Sequence, residues 1–138
     1  AYCEDESLPG MASWLRDQFA EEQLHAMKFY NFIIDRGAHV QLKQLDAPPT
    51  AYKSPLDVFE TALEHEKAVT AAINELYDLV AREKDFASQA WLDWFATEQV
   101  EEEKSVGQIV DDLRRIGSGD GLFILDRELG QRGGAGDG

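Results

Sequence analysis

Glu22 and His25 stand three positions apart, so on a helix of about 3.6 residues per turn they share a face. A carboxylate and an imidazole placed this way can hydrogen-bond to each other or chelate one metal ion. Gln99-x-x-Glu102 repeats the spacing further along the chain, and Glu66 stands singly between them. On helical wheels, at about 100° per residue, these polar groups fall where apolar side chains belong. Glu22 lies within a stripe of Met11, Leu15, Phe19, Ala26, Phe29 and Ile33, with His25 inside the same stripe. Glu66 is central to Phe59, Ala62, Ile73, Tyr77 and Val80. Glu102 and Gln99 fall among Trp91, Phe95, Ile109 and Leu113, with Glu98 on the edge and Glu101 on the flank.

Glu22, Glu66 and Glu102 are therefore expected to be three buried like charges, each costing several kcal/mol to desolvate. Arg16, Lys28, Lys67, Arg82, Lys104, Arg114 and Arg115 all fall outside the stripes. The compensating charge must then be protons or a bound cation. Two divalent or trivalent metals fit better than three neutral acids, because His25 and Gln99 supply further ligand atoms. One Glu-x-x-His alone is usually a hydrogen-bonded core pair, but three helices bringing acids together shift the balance to metal. Carboxylates with an imidazole and no thiolate suit iron or manganese, and zinc less well. Glu-x-x-His on one helix with single glutamates from others is the di-iron carboxylate arrangement of helix bundles.

The elements that must position these groups are helices. Residues 11–36 keep the 3.6-residue period up to Gly37, and residues 38–53 are polar and irregular with Pro48 and Pro49. That loop is long enough to cross the length of a bundle. Ser54-Pro55-Leu56-Asp57 reads as an N-cap, a proline at the first helical position and an acid at the third. A second helix runs from there to about Glu83, and a third follows the Lys84-Asp85 break as far as Ile116. Gly117 to Gly121 ends it, and Leu122 to Leu129 predicts a short terminal helix. Glu4-Asp5-Glu6 reads as a solvated loop, and His39 and His65 as surface residues. The class is all-α.

Composition narrows the partners. The 138 residues hold 13 Lys and Arg against 27 Asp and Glu, for a net charge of −14. So acidic a chain does not suit nucleic acid or an anionic membrane, which need clustered cations, whereas metal ions suit it well. One cysteine, Cys3, excludes an intrachain disulfide and a thiolate zinc site, as a reducing, cytoplasmic setting predicts.

Three segments carry a family likeness. Glu21-Glu22-Gln23-Leu24-His25-Ala26, Leu63-Glu64-His65-Glu66-Lys67 and Thr97-Glu98-Gln99-Val100-Glu101-Glu102-Glu103-Lys104 resemble the second-, third- and fourth-helix ligand motifs of the bacterial and archaeal non-haem ferritins. The resemblance implies a ferritin-like four-helix bundle over residues 1–132 with a short C-terminal helix; composition reads the glycine-rich end, 133–138, as a flexible tail. The resemblance also implies a di-iron ferroxidase centre. Glu22 and His25 bind one iron, Glu22 bridges, Glu66 and Glu102 help hold the pair, and Gln99 approaches the second iron or its oxygen ligand. Glu21, Glu98 and Glu101, with Glu102, resemble an accessory third-iron site. A second Glu-x-x-His on the last long helix would mark a bacterioferritin; Gln99-x-x-Glu102 stands there instead, so haem is not implied.

Fe(II) and dioxygen or peroxide are the implied reactants. A homo-oligomeric shell of twenty-four subunits is the implied assembly, storing iron in the cytoplasm. The family's first helix brings another glutamate ligand and a tyrosine, and Ala1-Tyr2-Cys3 matches only its last residues. The expectation is therefore a chain with that helix largely absent, and Tyr2 is not the family tyrosine. Two rivals remain at this point: a catalytically weak shell or iron-binding subunit, and a di-iron oxidase or peroxidase with another substrate.

Overall fold

In a computed structural model that describes residues 1–117 and 119–131, five helices account for the secondary structure of the described residues. They are α1 (Tyr2–Asp5), α2 (Pro9–Asp35), α3 (Pro55–Glu83), α4 (Phe86–Ile116) and α5 (Asp120–Leu129). No strand occurs among the described residues. None of the helices is long and apolar enough to cross a membrane. The expected tail over 133–138 lies outside the described residues. The described chain falls into two compact units, residues 1–51 with those after 117, and Tyr52–Gly117.

The unit Tyr52–Gly117 is a helical hairpin whose limits follow from local chemistry. Ser54 caps α3 by accepting from the Asp57 amide at 3.1 Å, and Asp57 accepts from the Lys53 amide at 2.9 Å. The first bond satisfies a backbone donor that a helix start leaves open, and the second ties the residue before the cap to the first turn. Lys84 ends α3 in the left-handed region at φ 55°, and Asp85 caps α4 through the Ser88 amide at 3.2 Å. Tyr77 bonds Asp93, Thr70 bonds Glu103 and Arg114 bonds Glu60. These partners step in opposite directions along the two helices, so α3 and α4 are antiparallel. Phe59, Ile73, Leu92, Phe95, Val106, Ile109, Val110 and Leu113 are buried along them.

The other unit is held by α2. Its own N-cap residue is Leu8, which has no side-chain acceptor to offer. The role passes to α5: the buried Asp126 carboxylate accepts from the Met11 amide at 2.8 Å. Gly10 makes this approach possible, since a Cβ there would stand 1.7 Å from the Asp126 carbonyl oxygen. Tyr2 and Cys3, expected as the last residues of a helix, do lie in α1; Glu4 and Asp5, expected in a loop, extend that helix and stay exposed, and Glu4 pairs with Arg16. Cys3 is buried, as expected of a small apolar side chain. Burial pushes its thiol up, and the Asp126 and Glu4 carboxylates add to the effect against the lowering influence of the N-terminus.

One expected face is displaced. Phe19, placed in the α2 stripe, is 64% exposed, and Ala26 is exposed as well. Trp14 and Gln18 are buried instead. At about 100° per residue, the buried band past the first turns is rotated by roughly 60° toward those two residues. The large Trp14 indole lies within the rotated band, where its burial removes more apolar surface from water than a phenyl ring would.

Candidate metal centre

The rotation of α2 decides how its two ligand candidates are presented. His25 turns inward, with 12% of its side chain accessible, while Glu22 sits at the edge of the band with 38% accessible. Glu22 is thus not the central buried charge that the wheel predicts. The two still form a pair, with Nδ1 of His25 3.6 Å from Oε2 of Glu22. That distance exceeds a hydrogen bond and leaves both groups positioned on one face of the helix. Glu21 is exposed beside them.

On the hairpin the expectation holds closely. Glu66 on α3 is 5% exposed, and Gln99 and Glu102 on α4 are 4% and 5% exposed. Gln99 joins the two helices. Its Nε2 donates to the main-chain oxygen of Glu66 at 3.2 Å, to Oε2 of Glu66 at 3.2 Å and to Oγ1 of Thr70 at 3.3 Å. The Thr70 hydroxyl in turn donates to Oε1 of Glu103 at 2.6 Å. Glu98 is half-buried and Glu101 exposed, matching their expected edge and flank positions. Lys104 lies 3.5 Å from Glu101 at the surface, while His65 and His39 are exposed as expected.

Thr70 and Glu103 were not singled out by the sequence, although a signal was there. Thr70 follows Glu66 by four residues and Glu103 follows Gln99 by four, which places each one turn along the same helix face. The hairpin thus offers two buried carboxylates and an amide, hard oxygen donors of the kind that bind iron or manganese. The α2 pair adds an imidazole and a further carboxylate. As a donor set for iron the residues fit.

Comparison with known proteins agrees with this chemistry. A family model described as a ferritin-like domain matches residues 1–116. A protein of Bacteroides fragilis named bacterial non-heme ferritin is 42% identical over 131 residues, covering 95% of this chain and 82% of the relative. One of the same name from Staphylococcus aureus is 38% identical over 133 residues, covering 96% of this chain and 80% of the relative. Among solved structures, an open pore ferritin of the archaeon Archaeoglobus fulgidus superposes with a TM-score of 0.92 at 44% identity. That match covers 94% of this chain and 81% of the archaeal one. A form of the same archaeal ferritin engineered to be closed gives a TM-score of 0.92 at 44% identity, covering 95% and 80%. The all-α fold is that of the ferritin four-helix bundle with a short C-terminal helix, and the chain belongs to the ferritin family.

Proposed function

We propose that this chain is a subunit of an iron-storage ferritin that oxidises Fe(II) and deposits Fe(III) within a homo-oligomeric shell. The observation that carries the reading is the pair of buried carboxylates on the hairpin, Glu66 and Glu102, beside the buried Gln99 amide. Carboxylates are expensive to bury, and a cation placed among them offsets that cost. Glu22, His25, Glu66, Gln99 and Glu102 are the residues we assign to a single di-iron centre. Support for joining the α2 pair to the hairpin set comes from the family likeness over 95% of the chain. Glu21, Glu98 and Glu101, with Glu102, are assigned to an accessory third-iron position. Residues 1–132 are read as one ferritin-like domain, in a cytoplasmic shell of twenty-four subunits, with no haem.

Iron is here both substrate and cargo. Two Fe(II) ions each give one electron, and one dioxygen takes both with two protons to leave hydrogen peroxide; peroxide can serve as oxidant in its turn. The protein's part is to hold two irons together so that both electrons reach one acceptor. Its carboxylates favour the more highly charged ferric product. The charge of −14 suits a protein that draws in cations.

Stopped-flow oxidation at two Fe(II) per subunit tests the reading. Glu66→Ala is expected to lose the fast phase, because α3 offers no other buried carboxylate among its described residues. Fast oxidation that survives this change would remove the centre from these residues.

A further inference from the structure

The Gln99 amide has more partners than hydrogens. Its Nε2 carries two N–H bonds, yet three acceptors lie within reach: the Glu66 main-chain oxygen, the Glu66 carboxylate and the Thr70 hydroxyl. Thr70 is an acceptor here for a definite reason. Glu103 is a carboxylate and accepts only, so at 2.6 Å the Thr70 proton must point to Glu103. The Thr70 oxygen then has only lone pairs to offer, and only the NH₂ end of an amide can face it. The carbonyl Oε1 of Gln99 is thereby turned to the opposite side.

We propose that Thr70 and Glu103 are positioning residues for the iron chemistry, acting by fixing which end of the Gln99 amide serves the metal. The proposal rests on the reading above, in which Glu66, Gln99 and Glu102 hold iron. When Glu66 turns Oε2 to a cation, the charge of that cation draws on its lone pairs and weakens the bond it accepts from Gln99. The Glu66 main-chain oxygen and Thr70 then carry the two hydrogens. The amide keeps its orientation without reorganising, and its carbonyl oxygen stays available as a neutral ligand or acceptor. Without the Thr70–Glu103 relay, one hydrogen loses its partner at that moment, and the amide is free to turn its NH₂ toward the cation, which repels it.

The relay can be tested by anaerobic calorimetric titration of Fe(II), with no oxidation involved. Thr70→Val keeps the shape of the side chain and removes the hydroxyl. It is expected to weaken Fe(II) binding by about 10- to 100-fold, the usual effect of losing a partner behind a metal ligand. Thr70→Ser is expected to restore binding. Made in a Gln99→Ala background, Thr70→Val should cost nothing further, because a residue that acts through Gln99 has nothing left to act on. If Thr70→Val fails to give native circular dichroism, Glu103→Ala provides the same comparison from the other end of the relay. Parent-like binding by Thr70→Val, or an equal loss with and without Gln99, overturns the relay while leaving the centre intact. Parent-like binding by Glu66→Ala overturns the centre itself and the relay with it.

Discussion

Glu66, Gln99 and Glu102 on the α3–α4 hairpin are all buried and tied across the helices by one amide. On α2, by contrast, Glu22 keeps over a third of its side chain accessible and stands beyond hydrogen-bond distance of His25. On the proposed di-iron reading, the hairpin donors already stand in place before any cation arrives, so binding there would require little reordering. Glu22 is partly accessible, which on the same proposal would suit a carboxylate that bridges or shifts between two ions. The same contrast extends to how the helices begin. The hairpin caps α3 and α4 with neighbours in sequence, Ser54 and Asp85, whereas α2 borrows a carboxylate from a residue 115 positions away.

The largest expected effect separates the buried hairpin core from a residue whose type alone suggests a core. Phe59 is fully buried on α3, and truncating such a side chain costs about 3–5 kcal/mol. That is a large part of the roughly 5–15 kcal/mol that holds a domain folded. Phe19 on α2 lies on the accessible side, and Phe19→Ala in the isolated chain is expected to change stability by no more than about 0.5 kcal/mol. Chemical denaturation of the two metal-free variants checks the pair. Equal losses would mean that Phe19 is covered in solution.

Where the two units recruit their caps marks the boundary of what was legible in the sequence. Ser54-Pro55-Leu56-Asp57 is a local signal, and α3 begins where it predicts. The Lys84-Asp85 break, the end of α4 at Ile116 and the short terminal helix were readable for the same reason. Glu66, Gln99 and Glu102 were readable as buried polar groups because each interrupts an apolar period. On α2 the periodicity weighs each apolar residue alike and so does not tell that Trp14 is buried while Phe19 is exposed. The Asp126 cap and the Thr70–Glu103 bond were not read, since both depend on distant segments meeting.

The second expected effect is of middle size and uses that difference in caps. Asp126→Ala leaves the Met11 amide without its acceptor in a buried place, at a cost of about 1–3 kcal/mol. Ser54→Ala removes a part-buried cap that water can replace, for about 1 kcal/mol. Hydrogen exchange should report each loss locally. Asp126→Ala should speed exchange at the start of α2 and along α5, and Ser54→Ala only in the first turn of α3. A uniform rise across both units in Asp126→Ala would show that α5 supports more than the start of α2.

The smallest expected effect concerns the flank of the hairpin site. Glu101 and Lys104 are 3.5 Å apart with most of both side chains in solvent. Water screens such a pair, and immobilising two long side chains offsets much of the Coulomb gain, so exposed pairs contribute about 0–1 kcal/mol. Glu101→Ala should therefore leave the metal-free melting curve within about 0.5 kcal/mol of the parent. Any change it makes must then come through cations. Assigned to an accessory position and not to the central pair, Glu101 should spare the first fast oxidation that Glu66→Ala abolishes. Its loss should show only when iron exceeds two per subunit. Stopped-flow traces at two and at three Fe(II) per subunit separate the two outcomes. If Glu101→Ala slows the first two irons as much as Glu66→Ala does, the distinction between the buried residues and the exposed flank fails as a guide to which acids do the first chemistry.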